Sequence, residues 1–296
     1  MKVSCVILNY NDSETALALA ERLLPYESLH QIVLVDNAST DGSGERLAAF
    51  AAQTEKAVFL AAPCNGGYGA GNNLGVSWAV REGGADYVLI ANPDVEVSQS
   101  CIRSMARALE KRPEAAAVTA VMEDETYGAW RNAWPLRGFV RELLAMGPVS
   151  RRVFRPFLEY PESRFRGKKA AWVDAVHGSC LMVDGAKFLE CGGYDEGMFL
   201  YQEEAVLAWR MRTGGYRTIL LLNASYRHHH SVSISHSFAG ELERQRLRET
   251  SVLYYMKHYL FINRLQERIA RLWFWGIRME IRAAGALRLL GERSWK

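Results

Sequence analysis

No stretch of this 296-residue chain holds 18 uninterrupted apolar residues, so no segment reads as a helix that crosses a membrane. The start carries no secretory pattern either. Only six residues, mostly apolar, separate Lys2 from Asn9, too short a run for a signal peptide. Cysteine is sparse. Cys5, Cys64, Cys101, Cys180 and Cys191 are odd in number and lack C-x-x-C spacing. That excludes a disulfide scaffold and a zinc ribbon, and fits reduced thiols in a cytosolic protein. Two glycine fingerprints are missing as well. No G-x-G-x-x-G follows the first apolar run, and no G-x-x-x-x-G-K-[ST] occurs, which argues against a dinucleotide-dependent dehydrogenase and a P-loop enzyme.

What is present is the make-up of a soluble globular protein, 49% hydrophobic and 23% charged. The length allows one large domain or two small ones with ample core. The net charge of +3 is unevenly placed: residues 240–296 hold 12 Lys/Arg against 6 Asp/Glu, leaving the remainder slightly acidic.

Strands and helices alternate from the start. Val3 to Leu8, Gln31 to Val35, Val58 to Ala61 and Tyr87 to Ala91 are apolar runs of strand length. Helical patterns near 14–24, 43–54 and 70–82 separate them, the first capped by Asp12 or Ser13. This order predicts a parallel, right-handed α/β sheet. An amphipathic helix over 98–112 and a strand over 117–122 follow. Residues 123–170 have a poor pattern and are expected to form an irregular insertion with one helix near 137–146. Ala171 to Val183, broken by His177-Gly178-Ser179, then a helix over 203–214 and a strand over Arg217–Leu222 complete the reading.

In a parallel sheet the loops after the strands share one edge, where open α/β sheets bind ligands. Three such loops are rich in polar residues. Asp36, ending the second strand, is placed to accept hydrogen bonds from a base or ribose, or to form an Asx turn. Asn65-Gly66-Gly67 through Gly71-Asn72-Asn73 opens a helix, either as a tight turn or as a loop that lets a nucleotide approach the backbone. Asn92-Pro93-Asp94 stops the fourth strand, since proline offers no N–H and holds its predecessor extended. A carboxylate on that turn suits a hard divalent cation bridging to phosphate oxygens, or serves as an ordinary strand-ending turn.

From Leu242 to Lys296 no proline occurs, and the pattern predicts helix nearly throughout. Leu260-Phe261, Leu265, Ile269, Leu272-Trp273, Trp275 and Ile281 interleave with Arg264, Arg268, Arg271, Arg278 and Arg282. Such a helix suits an anionic membrane surface, or packs on the sheet domain or on a second subunit as a homodimer. Nucleic acid is not expected as a partner, because the sheet region is slightly acidic.

Taken in order, Asn9-Tyr10-Asn11, Val35 to Ser43, Asn65-Gly66-Gly67 with Gly71-Asn72-Asn73, Asn92-Pro93-Asp94, His177-Gly178-Ser179, Gly192-Gly193-Tyr194-Asp195-Glu196, Phe199 to Glu204, and His228 with Ser233 resemble the family 2 glycosyltransferases, closest to the rhamnosyltransferase-like branch. The resemblance covers about four-fifths of the chain. It implies a GT-A fold, a Rossmann-like, mostly parallel sheet flanked by helices, over residues 1–239. Residues 1–100 would bind the nucleotide and 101–239 the acceptor, with 240–296 a helical extension. It implies nucleotide-sugar contacts by Asn9, Asn11, Asp36, Asn65, Gly71, Asn72 and Asn92. Asp94 would ligate Mg²⁺ or Mn²⁺, with His228 facing the metal or the diphosphate. A histidine after a strand fits that role, as an imidazole suits a transition metal or phosphate. Asp174, His177, Trp130 and Arg131 would shape the acceptor site.

The resemblance assigns the catalytic base to Glu204, with Glu203 beside it. Two acids in a first helical turn also have a purely structural reason, the helix macrodipole. The family usually carries Asp at both 204 and 206; here they are Glu204 and Val206. The implied activity is inverting, metal-dependent transfer of a sugar, rhamnose from dTDP-rhamnose as first choice. The acceptor would be a lipid-linked glycan in surface-polysaccharide assembly, on the cytoplasmic side of a membrane. A UDP-sugar-dependent hexosyl- or N-acetylhexosaminyltransferase is the alternative, and a non-catalytic nucleotide-sugar or glycan binder is the alternative of another class.

Overall fold

A computed structural model describes residues 1–123, 132–229 and 240–293, the last ten of these by backbone only. The chain divides into two compact units. The first comprises Met1–Leu136, Tyr160–Phe199 and Glu203–Ser231. It is built on β1 (Val3–Asn9), β2 (Gln31–Asp36), β3 (Ala57–Ala61), β4 (Tyr87–Ala91), β5 (Val95–Val97), β6 (Ala115–Glu123), β8 (Ala170–Val173), β10 (Cys180–Asp184) and β11 (Arg217–His228). These nine form one sheet in the order β3-β2-β1-β4-β10-β6-β11-β5, with β8 also paired to β11. A two-stranded sheet of β7 (Ala133–Trp134) and β9 (Ala175–Val176) stands apart from it.

The first four strands of that order run parallel. β10 is antiparallel to both β4 and β6, whereas β11 runs parallel to β6. The carboxyl ends of β1, β2, β4 and β11 and the amino end of β10 therefore meet at one edge.

The strands alternate their side chains between two buried faces, as period-two geometry requires. Val3, Cys5 and Ile7 of β1 join one core with α1 (Ser13–Leu23) and α4 (Gln99–Glu110). Val6 joins the other with α3 (Gly67–Arg81). The Asp12 carboxylate caps α1 by accepting from the Thr15 amide, one of the two residues expected to do so. α2 (Ser43–Ala51), α8 (Gly185–Glu190) and α9 (Glu203–Thr213) complete the unit.

The second unit comprises Arg137–Glu159, Leu200–Gln202 and Val232–Lys296. Its helices are α5 (Phe139–Met146), α6 (Pro148–Val153), α7 (Arg155–Leu158), α10 (Glu241–His258) and α11 (Arg264–Arg293). Leu143, Val252, Met256, Ala270, Phe274 and Ile277 form its core. The Trp273 indole donates to the Leu143 carbonyl at 2.8 Å, and Arg278 pairs with Glu249. Tyr201 and Gln202 are both left-handed, with φ of 72° and 69°, a strained state for non-glycine residues. Within the unit Leu200 accepts from Ser251 Oγ, and Gln202 donates to the buried Glu142 carboxylate at 3.2 Å.

Several expectations are corrected. The tail is two helices, because the chain turns at Tyr259–Asn263 with Phe261 left-handed at φ 52°. Among the described residues the insertion holds three short α-helices and a 3-10 turn at Glu162–Arg164, and 137–159 clusters with the tail. The last strand runs on from Leu222 to His228, and β5 and α8 had no clear sequence signal.

Candidate active site

The carboxyl edge gathers most of the polar residues singled out from sequence. Asp36 is buried, and three donors fix its carboxylate: Asn9 Nδ2 at 2.8 Å, Ser39 Oγ at 2.6 Å and the Ser39 amide at 3.0 Å. Asn11, left-handed at φ 53°, accepts from the Thr40 amide at 2.8 Å and so holds the same loop. Beside it, Asn37 Nδ2 donates to Asn65 Oδ1 at 2.9 Å and to the Gly67 carbonyl at 3.1 Å. Asn9, Asn11, Asp36 and Asn65 thus belong to one network at the ends of β1, β2 and β3.

Gly71 and Asn72 occupy other places. A Cβ at Gly71 would lie 2.4 Å from the Leu8 side chain, so its glycine has a packing reason. Asn72 is buried in α3 and donates to the Tyr68 carbonyl at 2.9 Å. The Gly192–Glu196 turn is tied to α3 by Asn73, which accepts from the Tyr194 amide at 2.9 Å and donates to its carbonyl at 3.0 Å.

Across the edge, Asp94 Oδ1 and His228 Nε2 stand 3.0 Å apart. They come from distant sequence because β5 pairs antiparallel with β11, setting His228 opposite Val95. The His229 amide then donates to the Asp94 carbonyl at 3.0 Å. Among the described residues no three His, Cys, Asp or Glu side chains converge as a metal cage. Two protein donors nonetheless fit Mg²⁺ or Mn²⁺ in a nucleotide site, where substrate phosphates and water complete the coordination.

The step from Asp94 to Glu204 runs through backbone. The Asn92 amide donates to the Ser179 carbonyl at 2.8 Å. The adjacent Gly178 amide meets Glu204 Oε1 at 3.4 Å, and the Gly178 carbonyl accepts from the Tyr68 hydroxyl at 2.9 Å. Glu204 heads α9, and burial holds its carboxyl above the ordinary Glu range despite hydrogen bonds from its own and the Gly178 amide. That is the direction a general base near neutral pH needs. Glu203 is buried beside it, and Val206 is enclosed in the core, so position 206 presents nothing to a ligand.

His177 packs edge-on against Trp134, with ring centroids 5.0 Å apart. Asp174 Oδ2 accepts from the Leu136 amide at 3.0 Å, and its own amide donates to the Tyr160 hydroxyl at 3.1 Å. Asp174 and Glu204 line the same small crevice. Trp130 and Arg131 lie outside the described residues. Sequence reasoning did not single out Ser39, Tyr68 or Trp134 as site residues. Ser39 was readable as an Asx-turn partner, while Tyr68 and Trp134 reach the edge only through long-range contacts.

The carboxyl edge thus brings together Asp36 held in a polar loop, Asp94 paired with His228, and a half-buried acid at a helix start. The glycosyl transferase family 2 profile matches residues 4–171. The chain belongs to glycosyl transferase family 2. Among its relatives are two rhamnosyltransferases. An N-acetylglucosaminyl-diphospho-decaprenol L-rhamnosyltransferase of Mycobacterium tuberculosis is 26% identical over 280 residues, 91% of this chain and 85% of the relative. The rhamnosyltransferase WbbL of Escherichia coli is 24% identical over 211 residues, 69% of this chain and 75% of its own length.

Solved structures agree on the fold. The mannosyltransferase PcManGT of Pyrobaculum calidifontis, in complex with GDP-Man and Mn²⁺, superposes with a TM-score of 0.60 at 15% identity. That match covers 99% of this chain and 82% of the other. GalNAc-T7 with UDP, GalNAc and Mn²⁺ gives 0.62 at 15% identity over 77% of this chain, which spans 44% of the GalNAc-T7 chain. This family 2 glycosyltransferase is therefore a GT-A protein with a mixed, mostly parallel sheet.

Proposed function

We propose that this enzyme transfers a sugar from a nucleoside diphosphate, first choice rhamnose from dTDP-rhamnose, to a hydroxyl of a polyprenyl-diphosphate-linked glycan in surface-polysaccharide assembly. The observation that carries the reading is the backbone bridge Asn92–Ser179–Gly178, which joins the turn bearing Asp94 to Glu204. Asp36, fixed by Asn9 and Ser39, offers its carboxylate to the nucleoside. A divalent ion bound at Asp94 would neutralise charge on the departing diphosphate. His228 beside it contributes a preorganised donor to the same oxygens.

Glu204 takes the proton of the acceptor hydroxyl as that oxygen attacks the anomeric carbon and the bond to the diphosphate breaks. A single displacement of this kind inverts the anomeric centre. His177 on Trp134 and Asp174 face the acceptor. The two rhamnosyltransferase relatives support the donor, and the diphospho-decaprenol in the name of one supports a lipid-linked acceptor. Such an acceptor places the enzyme at the cytoplasmic face of a membrane.

A UDP-sugar-dependent hexosyltransferase is the second reading, favoured by a relative named as a hexosyltransferase of low-salt glycan biosynthesis in Haloferax volcanii. The test is a transfer assay with dTDP-rhamnose and UDP-hexoses, each with Mg²⁺ or Mn²⁺, and NMR of the product's anomeric configuration. Inverted product from dTDP-rhamnose is expected. Transfer from UDP-sugars alone moves the assignment to the second reading, and donor binding without turnover identifies a non-catalytic binder.

A further inference from the structure

The helical unit carries a surface that the transfer reaction does not use. Of the large apolar side chains exposed among the described residues, Met1, Tyr10 and Phe199 lie in the sheet unit. The other twelve all belong to the helical unit. On α11 one face is spent on that unit's core by Ala270, Phe274, Ile277 and the partly buried Ile281. The opposite face repeats Leu265, Leu272 and Met279 at seven-residue spacing, about two turns. Trp275 and Ile269 flank them. Leu265 is 66% exposed, Leu272 69% and Trp275 56%.

Arginines border this stripe. Helical spacing puts Arg264, Arg271 and Arg282 along one margin and Arg268 within it. Arg271 pairs with Glu267 on its own helix. Among the described residues no ion pair ties Arg264, Arg268 or Arg282.

We infer that this outer face of α11 lies on an anionic phospholipid surface, apolar side chains at the acyl boundary and arginines among the headgroups. An apolar stripe with a basic margin is the pattern of a helix that rests in the interface plane. No described helix is long and apolar enough to cross a membrane, so resting is the available mode. A second copy of the chain is the weaker occupant. An antiparallel two-fold helix pair through this stripe would bring the arginine margins together, and any two-fold pair through it would enclose Arg268 without a carboxylate, which is costly. A bilayer removes the conflict, because Arg268 can extend its guanidinium to the phosphates while its stem stays apolar. The inference extends the lipid-linked-acceptor reading but does not depend on it.

The test is co-sedimentation of the full chain, without nucleotide, with vesicles of phosphatidylcholine alone or mixed equally with phosphatidylglycerol. Binding to the mixed vesicles only, weakened by salt, is expected. Leu272→Ser with Trp275→Ser should lower the partition coefficient by more than tenfold. Arg264→Gln and Arg268→Gln should each lower it about fivefold. Trp275→Phe, which keeps the apolar area, should bind like wild type, and circular dichroism of each variant separates lost binding from lost folding. Wild type that ignores both vesicles overturns the inference. So does a dimer in solution that the Leu272→Ser, Trp275→Ser variant converts to monomer. Because no donor is present, these outcomes are independent of whether the transferase assignment holds.

Discussion

Glu204, the proposed base, stands where the family usually carries the shorter Asp. The longer side chain reaches the Gly178 amide at 3.4 Å from the first turn of α9. Glu204→Gln should lower turnover by about 10²–10⁴-fold while leaving nucleotide affinity unchanged, as removal of a general base does. Glu204→Asp withdraws the carboxylate by one methylene and should cost about a hundredfold, the scale of a misplacement near 1 Å.

The pH dependence follows from burial. As the proposed base, Glu204 would act only when ionised, and burial raises its pKa above the ordinary Glu range. The acid limb of kcat/KM should therefore fall above the pH at which an ordinary Glu titrates, read from initial rates across a buffer series. The same shift has a stability consequence. A carboxyl with a raised folded pKa favours folding below its unfolded pKa and loses that contribution as pH rises through the folded value. Thermal melting of Glu204→Gln should thus match or exceed wild type at neutral pH, with the gap closing in acid. A residue kept only as a helix-start acid would show the reverse at neutral pH.

At the scale of elements, the loop before α3 is a close approach that only glycine permits. Gly67 is left-handed at φ 86°, and a Cβ there would lie 2.2 Å from the Phe199 carbonyl oxygen. Gly67→Ala should cost about 3 kcal/mol or more, since backbone strain and a clash with main chain add. Gly42, at φ 81° with open space around it, is the control: Gly42→Ala should cost about 1 kcal/mol. Urea denaturation of both variants measures the difference.

The strand-ending turns were the readable part of these elements. Tyr87–Ala91 and Gln31–Asp36 announce themselves by apolar runs stopped by Asn, Asp and Pro, and they carry Asp36 and Asp94 to the sheet edge. The parallel run of the first four strands was readable too, but the direction and pairing of the later strands were not. Cys180–Asp184 is simply an apolar run in sequence; its antiparallel insertion between β4 and β6 is decided by packing. The extension of β11 to His228, which sets that histidine against Asp94, likewise depends on pairing with the three-residue β5. A strand that short leaves no periodic signal.

For the molecule as a whole, sequence composition separated a basic, aromatic tail from a sheet region but set the border in the wrong currency. Charge and proline content divide the chain at about residue 240, whereas the compact units divide it by packing and draw 137–159 and 200–202 to the tail. The apolar residues of the insertion, Val149, Val153, Phe154 and Phe157, are exposed on that helical unit, a placement that local patterning could not give. The central claim nevertheless rests on the sheet unit alone: a nucleoside diphosphate bound at its carboxyl edge through Asp94 and a divalent ion.

Calorimetric titration of dTDP, UDP and GDP into wild type and Asp94→Ala, with Mn²⁺ or with EDTA, tests that claim most directly. Binding of dTDP ahead of the others is expected in the presence of metal, with that binding lost on chelation and in the Asp94→Ala variant. Absence of binding by every nucleotide, or affinity unchanged by Asp94→Ala, would contradict it.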